Sequence, residues 1–210
     1  NVVNLRNLYA NTLEKEAQRL AASIGIKQID LDLSDTRTLF FANVSVANYE
    51  RLFDDDWNGP FTESPPQLTR WELNVKAGSS KKNRMDDRSI EFPRIHPELN
   101  GKHNQFGYLL ASANASTPDF SSIVKYDFNN DSSTAYEFGQ GHMGAEPVFV
   151  PSEKPNSEDE GYLLSFVYNQ ADDISDLIIL NAQDLNSGPL ARIKLPQRVP
   201  YGFHGAWVNI

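Results

Sequence analysis

Residues 162–180 decide the fold class. They read Tyr-Leu-Leu-Ser-Phe-Val-Tyr, then Asn-Gln-Ala-Asp-Asp, then Ile-Ser-Asp-Leu-Ile-Ile-Leu. Short apolar runs rich in β-branched and aromatic residues, bounded by Asn/Asp-rich turns, are typical of β-strands. This stretch therefore predicts strands at Tyr162–Tyr168 and Leu177–Leu180, with a turn at Asn169–Asp173 between them.

The same alternation of short strands and turns extends in both directions from this stretch. Turn-rich segments such as Asn129–Asp131 and Asn186–Pro189 separate the predicted strands. Many short strands at near-regular spacing are typical of a β-sandwich, a barrel or a propeller, so the fold class is all-β. The other predicted strands are Ile29–Leu33, Leu39–Val46, Leu68–Val75, Phe106–Ala111, Ser122–Tyr126, Ala135–Phe138, Val148–Val150, Leu190–Leu195 and Gly202–Val208.

One helix and two polar loops complete the pattern. Apolar residues recur at helical spacing over Leu5–Ala21, where Asn4 can cap the start and Gly25 can end the helix. The loops are Asp54–Pro66 and Ala77–Asp87, and neither is typical of a domain linker, since strand patterning resumes on both sides.

Composition excludes several classes of function. The 210 residues carry a formal net charge of −9, which disfavours binding to a nucleic-acid backbone. The sequence has no cysteine, so disulfides and thiolate metal sites are excluded. No apolar run approaches the roughly 20 residues of a membrane span. Nucleophile-elbow, Walker, zincin and dinucleotide-binding motifs are missing as well. The acidic run Asp54–Asp56 lacks EF-hand spacing and indicates a solvated loop.

His204 is the best candidate metal ligand. It lies between Gly202 and Gly205 at the end of an apolar, aromatic segment that we expect to be a strand. Glycines let another group approach the backbone closely. A core histidine is the alternative interpretation. The other histidines, which we expect in solvent-side loops, are His96, His103 and His142.

Two glutamates stand directly before apolar, strand-like residues. They are Glu91, in Ile90–Ile95, and Glu146, in Gly144–Val150. A metal-ligating histidine usually donates its second ring N–H to a carboxylate or a carbonyl, so glutamates in such settings are candidates to orient a ligand. The alternative is a solvated strand-edge glutamate or a salt bridge, such as Glu91 with Arg94.

These segments together resemble the C-terminal part of the carotenoid cleavage oxygenase family, which includes carotenoid and apocarotenoid oxygenases, a retinoid isomerase and stilbene dioxygenases. The resemblance runs in family order over nearly the whole sequence. The matching segments are Asn4–Tyr9, Ile90–Ile95, Asn100–Lys102, Glu146–Pro151, Glu158–Leu164, Ile178–Leu185 and Val199–Gly205.

The resemblance implies the C-terminal part of a seven-bladed β-propeller with one N-terminal cap helix, in which residues 1–210 form a portion of a single domain. Family members hold Fe(II) with four histidines, three of which are oriented by glutamates. His204 resembles the last iron ligand, and Glu91 and Glu146 resemble two of those glutamates. The resemblance implies that the other three ligands and the remaining glutamate precede Asn1, and residues 1–95 contain no histidine.

The function implied is that of one piece of a non-haem Fe(II) dioxygenase that cleaves a conjugated C=C bond of a carotenoid or apocarotenoid. We expect the isolated piece to be inactive. Alternatives are a stilbene-cleaving or retinoid-isomerising relative, or a metal-free propeller that only binds. Tyr201, Phe203, Trp207 and Phe149 either line an apolar substrate tunnel or pack in the core.

The partners implied are an apolar polyene, O2 and the remaining N-terminal portion of the same protein. We expect no nucleic acid and allow for peripheral contact with a membrane. A cytoplasmic or peripheral-membrane location is favoured, and a plastid is compatible with the sequence.

Overall fold

The computed structural model describes residues 37–43, 66–74, 79–113, 119–202 and 204–208. The predicted helix over Leu5–Ala21, the strand Ile29–Leu33 and nearly all of the loop Asp54–Pro66 lie outside these residues.

The described part of the chain is almost entirely β, which confirms the predicted fold class. Its regular elements are twelve strands and two short 3₁₀ helices, Pro97–Leu99 and Leu185–Ser187. The strands are β1 Arg37–Asn43, β2 Gln67–Asn74, β3 Ser79–Arg84, β4 Ser89–Arg94, β5 Phe106–Ser112, β6 Phe120–Asp127, β7 Ser132–Glu137, β8 His142–Gly144, β9 Val148–Pro151, β10 Gly161–Asn169, β11 Ile174–Asn181 and β12 Pro189–Lys194.

The strands form three sheets. One is β1-β2-β3, and a second is the antiparallel meander β4-β5-β6-β7. In the third, with order β12-β11-β10-β8, β9 also pairs with β10. Antiparallel sheets of about four strands are the blades from which propellers are built.

Two strands share one edge of the third sheet. Val167 of β10 pairs with Gly144 of β8, and Leu164 pairs with Val148 of β9. The edge is therefore interrupted at residues 145–147. Glu146 lies in that interruption, outside the ladders that β8 and β9 form with β10.

An apolar core fills the space between the second and third sheets. It contains Tyr108 and Leu110 from β5 together with Leu163 and Ile178 from β10 and β11. The rings of Tyr108 and Phe149 stack with centroids 5.1 Å apart. Since full burial of one such side chain stabilises a fold by about 1.5–3 kcal/mol, this core is what fixes the two sheets against each other.

The predictions for residues 77–87 and 202–208 are wrong. Part of the predicted loop Ala77–Asp87 is the strand β3, whose side chains are mostly exposed. A polar strand at a sheet edge has no apolar alternation, so its pattern is that of a loop. The predicted strand Gly202–Val208 is not observed in its described part, residues 202 and 204–208, where Gly205 bonds to side chains instead of a neighbouring strand.

The chain divides into two compact units, residues 1–37 with 73–80 and residues 38–72 with 81–210. The site lies within the second unit. That residues 1–210 belong to a single propeller domain stays a prediction. Within the described residues, no helix has the length and apolar character needed to cross a membrane.

Candidate metal centre

Glu146 is a buried carboxylate whose two oxygens are both hydrogen-bonded. Its side chain is 5% exposed. Oε1 lies 3.1 Å from Nδ1 of His204, and Oε2 accepts the backbone N–H of Gly205 at 2.9 Å. A buried carboxylate is costly unless it is paired in this way. The structure thus brings together two of the residues that the sequence singled out.

The neighbouring strand holds the backbone at Glu146 in place. The N–H of Ala145 donates to the carbonyl of Phe166 at 2.8 Å, and the hydroxyl of Ser165 donates to the carbonyl of Ala145 at 2.6 Å. Pro147, which has no N–H to donate, follows at the point where the ladder is interrupted.

His204 is oriented by Glu146 at one ring nitrogen only. An ionised carboxylate only accepts, so Nδ1 must be the donor in this pair. In a neutral imidazole that tautomer leaves the lone pair on Nε2. The side chain is 72% exposed, and one face of it meets the Phe92 ring edge to face at 6.0 Å. The alternative interpretation of His204 as a core histidine is not observed, and its pairing with a carboxylate suits a metal ligand.

Glu91 lies in the middle of β4, directly before a distortion of that strand. The pairing of β4 with β5 shifts register between Glu91 and Arg94, and Phe92 within this bulge has a φ of 54°. A phenylalanine seldom adopts this left-handed conformation, which costs on the order of 1–3 kcal/mol and tends to occur at functional sites. Its ring packs edge to face on Phe120 at 5.5 Å.

The carboxylate of Glu91 lacks a partner that Glu146 has. Its Oε2 is buried and has no hydrogen-bond partner among the described residues. Burial raises the pKa of Glu91, and the backbone N–H of Phe92 lowers it only in part. The alternative of a salt bridge with Arg94 is not observed, because Arg94 lies beside Glu146 instead, with Nε 3.6 Å from Oε1.

The other histidines lie away from this pair. His96 was expected in solvent but is 8% exposed; its ring packs on Phe149 at 5.2 Å, and its Nδ1 accepts the N–H of Glu98. His142 is half-buried in β8 and lies near Gln140, where a flexible loop was expected. His103 is exposed, as predicted. No group of three or more metal-binding side chains occurs within the described ranges.

The candidate tunnel aromatics separate into two kinds. Phe149 is a core residue, 3% exposed. Tyr201 and Trp207 are 72% and 53% exposed, and the ring of Tyr201 lies 5.0 Å from the guanidinium of Arg198. Phe203 lies outside the described residues.

Comparison with known proteins identifies the family. The profile of the family described as "Retinal pigment epithelial membrane protein" matches residues 10–209. A carotenoid cleavage oxygenase of Mycobacterium tuberculosis is 38% identical over 173 residues, which are 78% of this chain. The chain belongs to the carotenoid cleavage oxygenase family.

Other members of the family match a similar region. An apocarotenoid-15,15'-oxygenase of Synechocystis is 29% identical over 96% of this chain, and an isoeugenol monooxygenase of Pseudomonas nitroreducens is 32% identical over 74% of it. The matched regions are 33%, 38% and 35% of the Mycobacterium, Synechocystis and Pseudomonas proteins. The chain thus spans about a third of the length of these relatives.

Solved structures of this family confirm the propeller prediction. The cobalt-substituted Synechocystis apocarotenoid oxygenase superposes with a TM-score of 0.67 at 32% identity, over 70% of this chain and 31% of the other. A chimera of that enzyme with RPE65 also gives a TM-score of 0.67, at 31% identity and the same coverage.

Proposed function

We propose that the chain is the C-terminal portion of a non-haem Fe(II) dioxygenase that cleaves a conjugated C=C bond of a carotenoid or apocarotenoid to two carbonyl products. The observation that carries the proposal is the bond between Nδ1 of His204 and the buried carboxylate of Glu146. It leaves Nε2 as the free ring nitrogen. The relatives named as carotenoid and apocarotenoid oxygenases support the substrate class.

The residues present fit an iron site that is completed elsewhere. Imidazole is a suitable ligand for iron, and a carboxylate on the far ring nitrogen is the usual support of a ligating histidine. Glu91 offers the same support, since its buried Oε2 needs an N–H donor. One solved relative is a cobalt-substituted form, which fits a metal site in this family.

Each residue of this chain has a defined task in the proposed reaction. Bound Fe(II) would supply the activation of O2 for attack on the double bond. Glu146 holds the proton of His204 at Nδ1 and keeps Nε2 as the ligating atom. Glu91 would do the same for a histidine from the remaining portion. The ring of Phe92 contacts the His204 ring and helps to hold its orientation.

The outer face of the third sheet fits packing by the remaining portion of the protein. Phe166 pairs with Leu177, which pairs in turn with Ile193, so the three side chains form a row on one face. Phe166 and Ile193 are 41% and 48% exposed. The opposite face of this sheet packs on the second sheet. We propose that a neighbouring blade covers this row.

Cleavage of a smaller aromatic alkene is a second candidate. The relative named isoeugenol monooxygenase, at 32% identity, supports it. Family membership is also compatible with a stilbene-cleaving or retinoid-isomerising activity. Peripheral membrane contact and a cytoplasmic, peripheral-membrane or plastid location stay predictions.

A substrate panel tests the proposal. The complete protein, meaning these 210 residues with the remaining portion, is incubated with an apocarotenoid, a stilbene, isoeugenol and a retinyl ester under O2. Aldehyde products from the apocarotenoid alone support the proposal. Products from isoeugenol or stilbene alone move the assignment to the second candidate. Protein that purifies without iron and converts none of them is a metal-free binding relative, and the proposal is then wrong.

A further inference from the structure

Arg94 bonds to the segment that carries His204. Its Nη2 donates to the carbonyl of Gly205 at 2.7 Å, and its Nε lies 3.6 Å from Oε1 of Glu146. The N–H of Gly205 donates to the other oxygen of Glu146 at 2.9 Å. Arg94, Gly205 and Glu146 thus each contact the other two, next to the backbone that carries the His204 ring.

The bulge in β4 is what brings Arg94 to this position. Glu91 pairs with Leu110, and Arg94 pairs with Tyr108, two residues earlier in the antiparallel strand β5. Residues directly opposite in an antiparallel ladder point to the same face, and Leu110 and Tyr108 both point into the core between the sheets. Positions three apart on a regular strand would face opposite ways, so the extra residue in the bulge is required to place Glu91 and Arg94 on one face.

The segment around His204 needs such a contact because no strand supports it. The described residues 204–208 have no ladder, and Gly202 and Gly205 on either side of His204 carry no side chain that could pack. Both backbone groups of Gly205 are instead bonded, the N–H by Glu146 and the carbonyl by Arg94. The guanidinium also supplies the positive charge that a buried carboxylate requires.

We infer that Arg94 is a positioning residue for the iron ligand: one guanidinium fixes the carboxylate that orients the His204 ring and the backbone next to that ring. The inference rests on the proposed function for its metal, and on the structure alone for its contacts. A lysine cannot replace the arginine in full, because a single ammonium lacks the planar fork that reaches two acceptors.

Three variants of the complete protein test this inference. Arg94→Met removes the charge and the fork, and Arg94→Lys keeps the charge only. Arg192→Met is the matched control, because Arg192 is 34% exposed and pairs with the buried Asp176 at 2.9 Å, while Arg94 is also 34% exposed. Circular dichroism confirms folding. The readouts are the Co(II) dissociation constant, the visible spectrum of the Co(II) form and hydrogen exchange of the Gly205 amide.

We expect Arg94→Met to weaken Co(II) binding about 10–100-fold, in the range seen when the support of a ligand is removed. Its Co(II) spectrum should change and its Gly205 amide should exchange faster. Arg94→Lys should fall between, and Arg192→Met should match the wild type. If Arg94→Met does not fold, Arg94→Lys carries the same comparison. Unchanged affinity, spectrum and exchange in the Arg94 variants would overturn the inference.

The amide measurement separates this inference from the proposed function. Wild-type protein that binds no metal would contradict the proposed function. The exchange of the Gly205 amide would still decide the role of Arg94, since that bond exists without metal. Faster exchange in Arg94→Met supports the positioning role, and unchanged exchange contradicts it.

Discussion

Glu146 is buried and Glu91 is half-buried, and the two glutamates differ in what surrounds their oxygens. Glu146 bonds to His204 and to Gly205, and Arg94 lies beside it. Glu91 has a buried oxygen without a partner in the described part of the chain, and its pKa is raised by burial. The same chemical group is thus satisfied in one sheet and unsatisfied in the other. Glu146 thus meets its histidine within this chain, whereas the described residues provide no hydrogen-bond partner for Oε2 of Glu91.

A third carboxylate, Asp159, has no proposed role in catalysis and serves as a reference for the two glutamates. It pairs with Nζ of Lys125 at 2.6 Å, and the two side chains are 12% and 11% exposed. Burial alone would raise the pKa of Asp159. Hydrogen bonds from Lys125 and Ser157 and the charge of Lys125 outweigh burial and hold that pKa below its usual value.

The largest expected effect is on this reference pair. Asp159→Asn leaves the buried Lys125 ammonium without its counter-charge and should lower the free energy of unfolding by about 3–5 kcal/mol. Urea denaturation of the chain measures it. Asp87→Asn, at a side chain that is 98% exposed, is the control and should change stability by less than about 1 kcal/mol. Equal losses in the two variants would contradict the assignment of a buried pair.

The same pair predicts an acid dependence. The folded pKa of Asp159 is lowered, so its contribution to stability is complete above its unfolded pKa of about 3.9 and is lost as pH falls through the folded value. Denaturation midpoints of the wild type should therefore fall below pH 4 more steeply than those of Asp159→Asn. Parallel curves for the two proteins would show that the pair does not titrate in this way.

Glu146→Gln tests the satisfied glutamate. The two bonds of Glu146 use different oxygens, and a glutamine replaces one of them by an NH₂ donor, which would face either the ring N–H of His204 or the N–H of Gly205. We expect the complete protein to bind Fe(II) about 10–100-fold more weakly. Glu153 is exposed, and Glu153→Gln is the control, for which we expect unchanged affinity for Fe(II). Wild-type affinity in Glu146→Gln would remove the carboxylate from the metal site.

Glu91→Gln should raise the free energy of unfolding of the 210-residue chain, whereas Asp159→Asn lowers it. Removing the charge of a carboxylate whose buried Oε2 has no hydrogen-bond partner should stabilise the chain by about 1 kcal/mol at neutral pH. The raised folded pKa means that wild-type stability falls as pH rises from the unfolded value of about 4.3 towards the folded one. The advantage of the glutamine should therefore grow over that window and disappear below it, as measured by urea denaturation at several pH values. Destabilisation at neutral pH would mean that Glu91 already has its partner.

The sequence predicted those parts of the molecule in which a residue's own pattern determines its position. Apolar strands such as Tyr162–Tyr168 were located to within a residue or two of β10. The polar strand β3 was missed because its exposed side chains follow no alternation. His96 was misplaced because its burial depends on Phe149, a residue of another sheet.

The candidate residues of the site could be selected from their sequence settings, and their roles from the family resemblance. Glu91, Glu146 and His204 were selected by their motifs, and the structure brings the last two together. The position of Arg94 could not be predicted, because it depends on a bulge at Phe92 that shifts the facing of the residues after it. The sequence signal for this bulge is Pro93, because a proline inside a strand tends to lie where the ladder is interrupted.

The central claim is that Nε2 of His204 binds a metal ion. The most direct measurement is the iron content of the complete protein after purification, compared for His204→Ala and for His103→Ala, which alters an exposed loop histidine. The account predicts stoichiometric iron in the wild type and in His103→Ala, and little or none in His204→Ala. Stoichiometric iron in His204→Ala would contradict it.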